Sequence, residues 1–264
     1  MSNTFRTLDH ADVKGKRVLM RVDLNVPYEN GVVSDATRIE RTAPSITELA
    51  DKGAKVILLS HFGRPKGPNP KDSLKAVAAE VAHTIKRPIK FVSDCIGAEA
   101  ERAVAAMKSG DIICLENTRF HAGEEKNDPD FVKALAKLGD LYVNDAFSVS
   151  HRAHASTEGL SHLLPAFAGR TLQAELEAFE KVLDKPERPL VAIVGGAKIS
   201  TKLDLLGNLL ERVDVLVIGG AMANTFVMAQ GKQVGRSLVE RDLIDTAQKI
   251  MDQAKTNKRE ILLP

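Results

Sequence analysis

The sequence predicts an α/β protein with mainly parallel sheets, divided into two domains by a connector helix. Three observations carry this expectation. Short apolar, β-branched runs recur along the whole chain, stretches of helical period separate most of them, and a long amphipathic helix closed by prolines interrupts the series past its midpoint.

The first run, 17–22, leads into Arg21-Val22-Asp23-Leu24-Asn25-Val26-Pro27, where apolar and polar residues alternate as in a half-buried strand that Pro27 then stops. Its polar positions hold Arg, Asp and Asn, which grip an anion and a hydroxyl together, although the same residues are also ordinary turn chemistry. Further strand-like runs lie at 55–59, 111–115, 141–143, 190–194, 213–218 and 261–263, and helical periods at 73–85 and 130–138. Residues 171–184 place Leu172, Leu176, Phe179 and Leu183 on one helix face, and Lys185-Pro186-Glu187-Arg188-Pro189 ends that helix. It reads as a connector at 169–185 between a domain at 1–168 and one at 186–264; the alternative is a crossover helix inside a single domain.

Composition narrows the class. A chain of 264 residues buries a sizeable core without disulfides, and Cys95 and Cys114 lie far apart without metal-ligand spacing, so reduced structural thiols in the cytoplasm are expected. The amino-terminal residues lack the apolar core of a secretory signal, and no run approaches a membrane span. A net charge of +2 and the absence of Trp argue against nucleic acid or a membrane surface as partner.

In parallel sheets ligands sit beyond the carboxyl ends of the strands, so the residues after each run are the candidates. After the second run, Ser60-His61-Phe62-Gly63-Arg64-Pro65-Lys66-Gly67 presents a glycine turn with His, Arg and Lys, suited to a phosphate. The third run delivers Arg119 and the fourth Arg152, and Arg38 lies within reach of the same group, so converging loops would form an anion pocket. A basic solvated loop is the plainer alternative at each. His151 and His154 lack a third His or Cys at a fitting distance, so zinc is not favoured. Further on, Gly195-Gly196-Ala197-Lys198-Ile199-Ser200-Thr201-Lys202 reads as glycines opening a helix that carries Lys198 and Lys202 on one face, and Gly219-Gly220 repeats the strand-to-glycine step. These glycines suit either a phosphate or tight packing. Neither the P-loop nor the dinucleotide fingerprint is present, which removes the main support for a dehydrogenase. Two phosphate-binding edges suit phosphoryl transfer, in which positioning and charge neutralisation do most of the work.

The motifs RVDLNVP (21–27), SHFGRPKG (60–67), LENTRFHAGEEKND (115–128), NDAFSVSHRAHAS (144–156), GGAKISTK (195–202) and GGAMANTF (219–226), in this order, closely resemble phosphoglycerate kinase. The resemblance covers the whole chain. It implies two Rossmann-like three-layer domains with a hinge, and reversible phosphoryl transfer from 1,3-bisphosphoglycerate to ADP, giving 3-phosphoglycerate and ATP, in a cytoplasmic monomer. Asp23 and Asn25 would hold the glycerate backbone, His61, Arg64, Arg119 and Arg152 its 3-phosphate, and Arg38 the reacting carboxyl end. Lys198 would steady the transferring phosphoryl group and Lys202 the nucleotide phosphates, with Gly195, Gly196, Gly219 and Gly220 lining the nucleotide side. Ala221 departs from a third glycine common in the family. The family's later adenine-pocket segment, its second glycine loop and its Mg2+-binding aspartate are expected beyond Pro264, which makes the second domain incomplete and places no metal ligand in this chain. The competing expectation is a non-catalytic phosphoglycerate binder of 264 residues.

Overall fold

The structure, a computed structural model, describes residues 5–29, 32–183 and 186–264. Its internal contacts divide the chain into two units, Met1–Glu177 and Ala178–Pro264. The divide falls inside the predicted connector helix, whose residues 184 and 185 lie outside the described residues.

Unit 1 is built on β1 (Arg17–Arg21), a small hairpin of β2 (Tyr28–Glu29) and β3 (Val32–Val33), α1 (Thr37–Asp51), β4 (Lys55–Leu59), α2 (Lys75–Ile85), β5 (Lys90–Val92), α3 (Gly97–Ala105), β6 (Ile112–Leu115), α4 (Pro129–Ala136), β7 (Leu141–Asn144), α5 (Leu160–Leu163), β8 (Ala166–Ala168) and α6 (Arg170–Leu183). Six strands form one parallel sheet in the order β5-β6-β4-β1-β7-β8. The period of two sorts their side chains. Val18, Met20, Val56, Leu58, Cys114 and Val143 enter one core cluster, while Leu19, Ile57, Leu59, Ile113, Leu115 and Tyr142 enter another. Ile39, Ile46 and Leu49 of α1 and Val77 and Val81 of α2 close the first face; Ala100 and Val104 of α3 and Phe131 and Leu135 of α4 close the second. A sheet buried on both faces needs continuous apolar strands, which explains the unbroken runs in the sequence. Cys114 and Cys95 belong to opposite clusters and both are free.

The chain leaves β1 toward β4, β6 and β5, then returns to the other side of β1 as β7. Loops at such a reversal diverge and open a crevice at the carboxyl ends of the strands. The tip of β1 differs from the sequence expectation. Val22 makes one last ladder bond to Leu59 O (3.0 Å), after which Leu24 N donates to Ser60 Oγ (3.0 Å), Asn25 N to Asp23 Oδ1 (3.1 Å) and Val26 N to Leu24 O (2.9 Å). Val22, Leu24 and Val26 are buried, so the alternation is real, yet side-chain and local acceptors replace a strand partner. Residues 22–27 are therefore an irregular loop, and the strand ends at Arg21 rather than at Pro27.

The first turn of α6 is bound to unit 1 by a buried carboxylate. Asp145, directly after β7, accepts from Thr171 N (2.7 Å), Leu172 N (3.3 Å) and Thr42 Oγ1 (2.8 Å), while Arg170 pairs with Glu48 (2.6 Å) and Asp9 (2.7 Å). The expected apolar face is buried at Leu172, half-buried at Leu176 and exposed at Phe179.

Unit 2 contains β9 (Val191–Gly195), α7 (Leu203–Arg212), β10 (Val215–Gly219), α8 (Met222–Ala229), α9 (Ile244–Thr256) and β11 (Glu260–Leu262), with the strands parallel in the order β11-β10-β9. Leu206, Leu216, Ile218, Phe226 and Ile250 form its core, whereas Val191 and Ile193 on the other sheet face are exposed. Two layers, a sheet and the helices over one face, are thus present. Among the described residues no helix is long and apolar enough to cross a membrane.

Removing the Asp145 carboxylate strands two backbone N–H groups and a buried hydroxyl. Asp145→Ala is expected to cost about 2–4 kcal/mol of stability and Asp145→Asn distinctly less, read from urea denaturation followed by circular dichroism. Equal losses in the two variants would refute this assignment.

Candidate functional site

The loops after β1, β4, β6 and β7 meet at the carboxyl end of the unit 1 sheet, and side-chain bonds fix them to one another. Asn25 accepts from Gly63 N through Oδ1 (2.9 Å), which ties the β1 loop to the β4 loop. Gly63 has φ +62° in a turn where a Cβ would lie 2.7 Å from Asp72 Oδ1, so the glycine of the predicted phosphate turn is required. Asn117, wholly buried, donates to Phe62 O (2.8 Å) and Asp72 O (2.9 Å) and accepts from Phe62 N (3.1 Å), joining the β4 and β6 loops. Its Oδ1 also receives Arg119 N (3.1 Å) and so caps the 3-10 turn Thr118–Phe120 that presents Arg119.

Arg38, in the first turn of α1, donates from Nη1 to Asp23 Oδ2 (2.9 Å) and to Asn25 O (2.9 Å), and is half exposed. Asp23 also accepts from Ser148 Oγ (2.5 Å), a contact between the tips of β1 and β7 at the topological reversal. Arg119 donates from Nη1 to Gly63 O (2.8 Å), and its Nε lies 3.0 Å from Glu125 at an angle too poor for a hydrogen bond. Arg152 is half-buried, and its guanidinium has no hydrogen-bond or ion-pair partner among the described residues. Arg64 is exposed on its turn.

His61 is the centre of the cluster. It is buried, and burial followed by the charges of Arg21, Arg119, Arg152 and His154 lowers its pKa to about 2. The charges of these groups are felt at one imidazole, and Arg21 Nη2 touches it directly (2.9 Å). Burial, offset by Glu125 and reinforced by Arg152 and Arg21, likewise lowers the Arg119 pKa. Such a concentration of positive charge, only partly answered by Glu124 and Glu125, is suited to an anion.

Arg21 has a different place from the one its position suggests. Rather than facing a ligand, its guanidinium is enclosed, donating to Ser156 Oγ (2.9 Å), Val22 O, Ser60 Oγ (3.5 Å) and His61 Nδ1 (2.9 Å). Ser156 in turn donates to the fully buried Glu124 (2.5 Å), from within a π-turn at Ala155–Gly159. Neither Glu124 nor Ser156 was singled out from the sequence. A lone acid and a serine with more than thirty residues between them give no spacing signal, and only the enclosed cation reveals their use.

A cavity of about 180 Å3 lined by Asp23, Arg38, Asp145 and Ser148 opens beside this cluster. A larger one of about 1020 Å3, lined by Tyr28, Phe91, Asp94, Phe120 and His121, includes none of the site arginines. Neither cavity is lined by His61, Arg119 or Arg152, so converging charge rather than volume singles out the cluster around His61. At the larger one, Asp94, Cys95 and His121 bring possible metal-ligand atoms within 4.8 Å of one another. Asp94 Oδ1 already meets His121 Nε2 (2.7 Å) and Cys95 N (2.6 Å), so that oxygen is engaged inside the protein. His151 and His154 are not part of that group.

In unit 2, Gly195 and Gly219 are register partners at the ends of β9 and β10. Gly220, at φ +68°, lets its backbone approach Gly196, where a Cβ would lie 2.7 Å from Gly196 O; a Cβ at Gly219 would meet nothing within 4 Å. Tight packing therefore explains Gly220 and not Gly219. Lys198 and Lys202 do not share a helix face, because α7 begins at Leu203 and both precede it. Glu240 causes the delay: it accepts from Ile199 N (2.6 Å), Ser200 N (3.2 Å) and Ser200 Oγ (2.6 Å), so these donors turn toward a side chain instead of opening a helix. Lys202 lies against Gly196, with Cε 3.0 Å from where a Cβ would stand, and Lys198 is exposed.

A buried neutral histidine makes folding sensitive to acid. The unfolded chain takes up a proton at the ordinary His value of 6.5, which the folded chain refuses until about 2, so His61 leaves stability intact above pH 6.5 and lowers it as pH falls. The slope is about 1.4 kcal/mol per pH unit. His61→Gln is expected to remove that increment between pH 6.5 and 5, measured as the shift in urea midpoint against the parent protein; identical pH dependence would exclude a neutral buried His61.

The whole arrangement has known counterparts. A family model described as phosphoglycerate kinase matches residues 8–264. The phosphoglycerate kinase of Bradyrhizobium diazoefficiens is 65% identical over 264 residues, and that of Rhodopseudomonas palustris 64% identical over 264 residues. Each match takes in 100% of this chain and 66% of the relative, so the chain spans just under two thirds of the length of the curated relatives it matches. Among solved structures, phosphoglycerate kinase from Coxiella burnetii superposes with a TM-score of 0.89 at 38% identity, covering 98% of this chain and 66% of that one. The enzyme from Pyrococcus horikoshii OT3 gives 0.82 at 29%, covering 97% and 67%. With the family model spanning nearly the whole chain and relatives at such identity, this chain belongs to the phosphoglycerate kinase family.

Proposed function

We propose that this chain carries the phosphoglycerate-binding part, and the first loops of the nucleotide side, of a phosphoglycerate kinase that transfers a phosphoryl group between 1,3-bisphosphoglycerate and ADP. The observation that carries this reading is the gathering of Arg119 and Arg152 around His61 at the carboxyl end of the unit 1 sheet. His61, Arg119 and Arg152 hold the 3-phosphate, with exposed Arg64 able to reach it from its glycine turn. Asp23 and Asn25 face the glycerate backbone, and the bonds from Arg38 to both leave its remaining guanidinium donors for the reacting carboxyl end. No general base is required, since a carboxylate attacks without losing a proton and the charge spreading over the transferred group needs only fixed donors.

On the nucleotide side, Gly195, Gly196, Gly219 and Gly220 leave the strand tips open to phosphate, Lys198 steadies the transferring group and Lys202 the nucleotide phosphates. Mg2+ enters as part of the substrate, in MgADP or MgATP. Glu240, the carboxylate bonded to the Lys198 loop, is spent on Ile199 and Ser200 and does not fit a metal-ligand role. The domain limits 1–168, 169–185 and 186–264, a monomeric state and a cytoplasmic location accompany this reading.

Calorimetry on the 264-residue chain is expected to show 3-phosphoglycerate binding that weakens about 10–100-fold in Arg119→Ala, as for loss of a charge-assisted hydrogen bond. Binding without ADP or ATP affinity would favour the non-catalytic alternative for this chain, and no binding would overturn the pocket. In a protein of the relatives' full length, Arg38→Ala is expected to abolish most turnover with the circular dichroism spectrum unchanged, and retained turnover would refute its catalytic role.

A further inference from the structure

We propose that Glu124, Ser156 and Arg21 form a positioning chain that fixes His61 as the neutral tautomer protonated at Nε2, so that the imidazole acts in the anion site only as a hydrogen-bond donor. The role in the anion site rests on the phosphoglycerate reading; the tautomer rests on geometry alone. A guanidinium has donors and no acceptor, so the 2.9 Å contact between Arg21 Nη2 and His61 Nδ1 requires a lone pair on Nδ1. The single proton of the neutral ring must then lie on Nε2. No protein group accepts from Nε2 among the described residues, and Nε2 is not sealed from solvent. A donor held at the edge of a positive cluster suits a phosphate oxygen.

The rest of the chain sets where Arg21 stands. Its Nε donates to Ser156 Oγ (2.9 Å), and that hydroxyl donates onward to Glu124 Oε1 (2.5 Å), while Ser156 N holds Oε2 (3.0 Å). Each hydrogen runs in one direction, from guanidinium to hydroxyl to carboxylate. Glu124 supplies the compensating charge for the enclosed cation, and both are fully buried. The largest charges bearing on His61 from the neighbouring elements are positive or potentially so: Arg21 from β1, Arg119 from the turn after β6, and Arg152 and His154 from the loop after β7, while the Glu124 carboxylate is linked to the ring through Ser156 and Arg21. A second proton on the ring therefore meets repulsion from three sides, and the one it carries is directed outward.

The test is nitrogen-15 NMR of the imidazole rings in the 264-residue chain, with the His61 signals assigned from His61→Gln. The expected wild-type result is one neutral form, protonated at Nε2 and unchanged from pH 5 to 8. Ser156→Ala, which cuts the link to Glu124, is expected to give a tautomer mixture or titration within that range and to weaken 3-phosphoglycerate binding about tenfold. Ser156→Thr, which keeps the hydroxyl, should restore the wild-type signature, a rescue that general loss of stability does not predict. Wild-type His61 protonated at Nδ1, or titrating near its ordinary value, would overturn the inference without recourse to any variant, as would a wild-type signature in folded Ser156→Ala. Absence of 3-phosphoglycerate binding to a wild-type chain with the expected tautomer would instead overturn the functional reading and the ligand role of His61, leaving the positioning chain supported.

Discussion

The guanidinium of Arg21 is shut inside the protein at the end of the central strand, and its charge obliges the surrounding chain to provide acceptors. Several kcal/mol of desolvation are at stake for such an ion unless its donors are met and a counter-charge stands near. The structure meets that demand with groups from widely separated segments: Val22 O, Ser60 Oγ, His61 Nδ1, and Ser156 Oγ backed by Glu124. These same segments are the loops that present the site. Satisfying one cation thus brings together the tips of β1 and β4 and the turn after β7, and the arginines that remain partly exposed inherit their positions.

A second constraint is topological. Because the chain reverses at β1, the loops after β1 and β7 part company, and Asp23 with Ser148 spans the opening between them. Asn25 and Asn117 then stitch the β1, β4 and β6 loops through backbone groups, so the site is held by short polar bonds over a rigid parallel sheet. Asp145 extends the same principle to α6 by accepting from the orphan donors of its first turn. In unit 2 the corresponding devices are different. Close backbone approach at Gly220 and Gly196 shapes one loop, and the Glu240 carboxylate shapes the other.

Much of the fold was legible because strands buried on both faces must be apolar, and β4 occupies the residues its run predicts. Of the strands in the two parallel sheets, the sequence runs omit β5 and β8, which are three residues long, and Lys90 and the paired alanines of Ala166–Ala168 carry little β-branched signal. Lys198 and Lys202 have the right separation for a helix face, but local spacing cannot anticipate a carboxylate forty residues away taking the N–H groups of Ile199 and Ser200. The same limit applies to Arg21. Its alternation with Asp23 and Asn25 suggested three ligand-facing groups, whereas it is enclosed and the other two are half-buried at the cleft.

By itself, the sequence determined the class of fold, the succession of strand tips and the residue types at each tip, since burial pattern and backbone propensity are local or periodic properties. It also identified the family, because ordered motifs survive independently of any knowledge of contacts. Only the tertiary structure decided which of the cations are enclosed and which stay open at the strand tips. That choice depends on where a long side chain finds acceptors, and those acceptors come from loops that become neighbours only when the parallel sheet aligns its strand ends. Arg21 and Arg119 look alike in the sequence; one has its charge answered inside the protein by Glu124 through Ser156, and the other lies against the exposed Glu125 with Nη1 on Gly63 O.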